Sequence, residues 1–108
     1  LERLDHATYR TPHHAVDYLT MKPSEYFRRN FIATFEDDRY GIETRHGIGV
    51  ENLMWGNDYP HHDSIWPKSM SILDEVMEGV PAEEVRQMCL DTVCELYRVD
   101  RRKLPEAA

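Results

Sequence analysis

Positive charge is scarce in this chain. Thirteen Lys and Arg stand against 20 Asp and Glu, a formal net charge of −7 over 108 residues. A nucleic-acid or anionic-membrane partner needs a basic face. The basic runs "FRRN" and "DRRK" are short and flanked by acids, which reads as solvated surface. Long apolar runs are missing too. No stretch approaches the 18 or so residues that argue for a membrane-spanning helix, and no signal peptide is recognisable. The expectation is a soluble, cytoplasmic protein that binds neither nucleic acid nor membrane. Cysteine is limited to Cys89 and Cys94. Five apart on a helix, they point to different faces, so no disulfide is expected between them.

Length sets the next bound. A chain of this size buries only about 60–70% of its unfolded surface, enough for one small domain. Leu1 is not a Met and falls inside what reads as a helix, Leu1 to about Arg10, with no start signal. The expectation is a piece of a longer chain.

What the sequence does contain is an alternation of apolar runs and helical stripes. "PSEYFRRN" opens on Pro23 and Ser24 as a short helix. "FIATF" (Phe31–Phe35) is a β-rich apolar run ending in "EDD", and "NLMW" (Asn52–Trp55) is a second, stopped by Gly56. Runs apolar on both faces suit buried parallel strands. A helix is expected between them, from Asp38 to His46, closed by Gly47. Met70, Leu73, Val76 and Met77 then form a stripe after Pro67, and Val85, Met88, Thr92 and Leu96 form another after Pro81. Both stripes read as core. Strands alternating with helices imply a parallel sheet, and a sheet of only two strands leaves edges and faces uncovered.

The stretch "LMWGNDYPHHDS" carries the polar chemistry. In parallel α/β proteins ligands collect at the carboxyl ends of strands, and Asp58 falls just past such an end. A carboxylate held there can coordinate a divalent cation or accept a proton from water. An Asp after a strand is also a common turn residue, and a "HHD" cluster is often plain loop. His61, His62 and Trp66 are candidates for the rim or support of a site at Asp58. Adjacent histidines on an extended segment point opposite ways, so at most one of His61 and His62 faces Asp58. His6, His13, His14 and His46 are scattered and receive no metal assignment.

"LMWGNDYPHHDSIWP", followed by "AEEVRQMCLDTVCELYRVD", resembles the C-terminal end of the amidohydrolase superfamily, in the branch that includes aminocarboxymuconate-semialdehyde decarboxylase. "LERLD" and "PSEYFRRNFIATFEDD" resemble the segments leading into the seventh strand of that branch, so the likeness runs along nearly the whole chain. Its most specific piece is Trp55 to Pro67. The resemblance implies the last part of a (β/α)8 barrel, about two βα units plus closing helices, incomplete as an isolated chain. It implies that Asp58 is both a ligand of a catalytic metal, Zn²⁺ or alternatively Mn²⁺, and a base. His61 would support the site. The activity implied is hydrolysis or non-oxidative decarboxylation of a small carboxylated substrate. The other metal ligands would lie upstream of Leu1, and Thr92 stands where the family has Asn. Two expectations result: a segment of a metal-dependent enzyme, inactive in isolation, or a non-catalytic fragment stable only as a homo-oligomer or in association with the rest of the barrel.

Overall fold

A computed structural model describes residues 1–10 and 19–104. The breaker "TPHH", with His13 and His14, lies outside the described residues. Helix α1 (Glu2–Arg10) buries none of its own side chains. Asp5 ties it to α2: its carboxylate accepts from the Ser24 N–H (2.9 Å) and hydroxyl (2.6 Å). An acid at that place also suits the positive end of helix α2 (Pro23–Asn30). Pro23 sits at the first helical position, where a missing N–H costs nothing. Glu25 reaches back to accept from the Lys22 N–H at 2.7 Å, one half of a capping box.

Strands β1 (Ala33–Phe35) and β2 (Leu53–Trp55) pair in parallel, with Ala33 opposite Leu53 and Phe35 opposite Trp55. The crossover holds two short helices, α3 (Arg39–Glu43) and α4 (Arg45–Ile48). Asp38 opens α3 by accepting from the Gly41 N–H at 2.8 Å. The crossover ends at Gly49, whose φ of 119° is open to glycine and rarely to other residues. A 3₁₀ turn (Val50–Asn52) leads into β2. Asn52 is buried and donates from Nδ2 to the carbonyls of Arg28 (2.6 Å) and Phe31 (2.7 Å). One side chain thus ties the end of α2 to the entrance of β2.

Helix α5 (Ser69–Val76) comes after the long loop that leaves β2, and a final helix runs from Ala82 to Leu96. That helix comprises α6 (Ala82–Arg86), a π-helical segment (Gln87–Asp91) and α7 (Thr92–Leu96). In the π segment the Thr92 N–H reaches back five residues to the Gln87 carbonyl, and the Thr92 hydroxyl donates to the same oxygen at 2.9 Å. The core gathers Phe35, Ile42, Leu53, Leu73, Val76, Met77 and Met88, drawn from both strands and the helices around them. Arg39 donates to the carbonyls of Glu75 (3.2 Å), Val76 (3.2 Å) and Glu78 (3.3 Å), fastening the crossover to the end of α5 and the turn after it.

The expectation of a (β/α)8 barrel portion is overturned. Of the described residues, 57% are helical, and the sheet has two strands of three residues each. Barrel staves need a hydrogen-bonded neighbour on both sides and enough length to tilt and stagger. Each strand here has one neighbour, and each is shorter than an ordinary strand of about 5–6 residues. Alternation of strand and helix selects parallel pairing, and that pairing forms. The barrel was implied by the likeness of the motif alone; the two apolar runs account for the two strands that form. Two local expectations also shift. The helix expected over Asp38–His46 breaks at Thr44 and closes at Gly49 rather than Gly47, and α5 begins at Ser69 rather than beside Pro67.

Candidate functional site

Because Phe35 and Trp55 pair, the two strands end side by side, and the Gly56 N–H donates to the Phe35 carbonyl at 3.0 Å. Glu36 leaves β1 and Asn57 and Asp58 leave β2 on the same edge of the sheet. Asn57 organises the loop. Its Oδ1 accepts from the Tyr59 N–H (3.2 Å), its Nδ2 donates to Ser69 Oγ (3.3 Å), and its carbonyl accepts from the Ser64 hydroxyl. Asp58 has a φ of 55°, the left-handed region that Asp tolerates better than most residues. Its carbonyl accepts from the His61 N–H at 2.8 Å, closing a turn. That turn brings Asp58 Oδ2 and His61 Nδ1 to 2.8 Å, with the two side chains 49% and 53% exposed.

The two side chains form an ion pair when the imidazole is protonated, but the ring N–H is not aligned as a hydrogen bond to the carboxylate. His62 does not join the carboxylate. Its ring lies over that of His61, centroids 4.1 Å apart. Trp66 is exposed and meets the ring of Tyr59 edge-on at 5.8 Å. Asp58 and His61 are therefore brought together, while His62 and Trp66 flank them.

Glu36 is a residue that sequence reasoning does not single out. Partial burial pushes its carboxyl above the ordinary range, and the charges of Asp58, Asp63 and Asp37 add to the effect. The sequence held a signal: "EDD" comes after "FIATF" as "GND" comes after "NLMW", and two parallel strands deliver their C-terminal loops to one edge of the sheet. Of the remaining histidines, His6 is exposed on α1, and His46 contacts Glu84 at 2.9 Å. Cys89 and Cys94 are free thiols, and burial raises that of Cys89.

These donors do not make a metal site by themselves. Among the described residues no three His, Cys, Asp or Glu side chains come together in a way that could hold an ion, and Zn²⁺ takes three or four protein ligands. No helix among them is long and apolar enough to cross a membrane. Neither a protein-family model nor a curated protein matches the chain.

Proposed function

We propose that this chain is a segment of an amidohydrolase-type enzyme that acts, by hydrolysis or non-oxidative decarboxylation, on a small carboxylated substrate in the cytoplasm. Asp58 is its base and His61 a supporting neighbour. The observation that supports this reading is the Asp58–His61 contact past the carboxyl end of a parallel strand. Asp58 takes a proton from water or from the substrate, with the His61 imidazole beside it. Zn²⁺ or Mn²⁺ belongs to the proposal only if donors from outside the described residues join Asp58. The test is Asp58→Asn, which suits the left-handed backbone and removes the charge. Turnover of carboxylated substrates falls by about 10²–10⁴-fold if Asp58 acts in proton transfer. Unchanged turnover together with unchanged metal content would sink the assignment.

A second reading, a non-catalytic piece stable only as an oligomer or with a partner chain, draws on one observation. Large apolar side chains stand exposed at Phe31, Tyr40 and Met70. Light scattering on the purified chain distinguishes the cases. A mass at a multiple of 12.8 kDa supports this reading, and a monodisperse 12.8 kDa species ends its oligomeric form.

A further inference from the structure

Two exposed surfaces of opposite charge each carry large apolar side chains. The first follows the final helix. Arg98, with a φ of 55°, turns the chain out of α7. The Val99 N–H then donates to the Cys94 carbonyl at 2.9 Å, and a 3₁₀ turn (Arg101–Lys103) comes next. Leu96, Tyr97, Val99 and Leu104 are all exposed along this segment. Its described residues and their ion-pair partners supply five cations, Arg86, Arg98, Arg101, Arg102 and Lys103. Against them stand three carboxylates, Asp91, Glu95 and Asp100, so the surface is positive with every ion pair counted.

The second surface is the edge of the sheet where both strands end. Tyr59 and Trp66 are 64% and 60% exposed there and meet edge-on. Five carboxylates, Glu36, Asp37, Asp38, Asp58 and Asp63, leave the strands or lie in the loop beyond β2, against the cations of Arg39 and Lys68. The negative field is felt at Glu36. After burial, Asp58, Asp63 and Asp37 raise its carboxyl, and His61 opposes them.

We propose that these two surfaces bind each other across copies of this chain. The cationic segment, residues 96–104 of one molecule, seats its apolar side chains on Tyr59 and Trp66 of the next and sets its cations over the acidic edge. Guanidinium groups suit both features of that edge, since they stack on aromatic rings and pair with carboxylates. Opposite potentials on two different patches give a head-to-tail contact. A symmetric pairing of like patches would set acids against acids. The inference rests on the oligomeric reading of the chain, because the contact covers Asp58 and His61.

The test is sedimentation velocity of the intact chain over a range of concentrations, at about 0.01 M and about 1 M salt, where charges are screened over about 30 Å and about 3 Å. The expected result is a mass above 12.8 kDa at low salt that grows with concentration, and a return towards 12.8 kDa at high salt. Lys103→Glu on one surface and Asp63→Lys on the other each weaken self-association about tenfold. Both positions are exposed. Where either variant disturbs the far-UV circular dichroism, Tyr97→Glu or Asp37→Lys takes its place on the same surface. Mixed in equal amounts, the two variants associate again, because one keeps the native edge and the other the native segment. Assembly that ignores salt and both substitutions overturns the head-to-tail contact and leaves the oligomeric reading standing. A mixture that associates no better than either variant alone overturns it too. A 12.8 kDa monomer under every condition overturns both.

Discussion

Glu36 and Asn52 sit at opposite ends of the sheet and have opposite relations to it. Glu36 is half-buried among carboxylates, so its carboxyl holds its proton to higher pH in the folded chain than the ordinary value of 4.5. A raised carboxyl favours folding while protonated, and that contribution is lost as pH rises through the folded value. Glu36→Gln is thus expected to raise stability at pH 7 and leave it unchanged at pH 3, read from urea unfolding at both. A loss at pH 7 would mean that the charge makes a favourable contact. Asn52, 2% exposed, satisfies two carbonyls from below. Asn52→Ala leaves both without that donor and costs about 1–3 kcal/mol, measured by the same unfolding; a change under about 0.5 kcal/mol, the scale of ordinary surface substitutions, would show that water replaces the amide.

At the scale of elements, the final helix is the piece against which the sheet packs. Met88, 0% exposed, projects from its π-helical segment into the cluster of Phe35, Leu53 and Leu73. Insertion of an extra residue per turn rotates the next face of the helix. Met88 and Cys94 are both buried as a result, whereas Leu96, part of the expected stripe, is exposed. Thr92 holds this local geometry through its hydroxyl on the Gln87 carbonyl. Met88→Ala removes the side chain without a way for the helix to collapse onto the gap, and is expected to cost about 2–5 kcal/mol. Thermal unfolding checks it, and a loss below about 1 kcal/mol would show that the helix slides to refill the site.

For the whole molecule, the crossover is fastened to the final helix by Glu84. Its carboxylate accepts from Arg45 Nε and meets His46 Nε2 at 2.9 Å, and Arg45 first, then His46, holds it below the ordinary carboxylate range. A depressed carboxyl contributes stability above its unfolded value, about 4.5, that is lost as pH falls through the folded one. Glu84→Gln is therefore expected to lower the melting temperature at pH 7 and to leave it unchanged well below the folded value. An equal loss at both would point to packing rather than charge as the fastening.

Much of this architecture was legible in the residues. "PSEYFRRN" forms a helix over Pro23–Asn30 because proline and an acid open it, and two apolar runs separated by helix pair in parallel. Those are short-range matters, decided by backbone chemistry and hydrophobic spacing. The two apolar runs also matched the two strands, but their length was not legible, since each pairs over only three residues. Nor was the π segment, because a five-residue reach back by Thr92 depends on how the final helix meets the sheet. The same division holds at the candidate site. The sequence singled out Asp58, His61, His62 and Trp66 from a polar stretch after an apolar run. The motif likeness already favoured His61 over His62; only the tertiary structure placed Glu36 beside that stretch, because the register of the two strands decides which side chains come within reach.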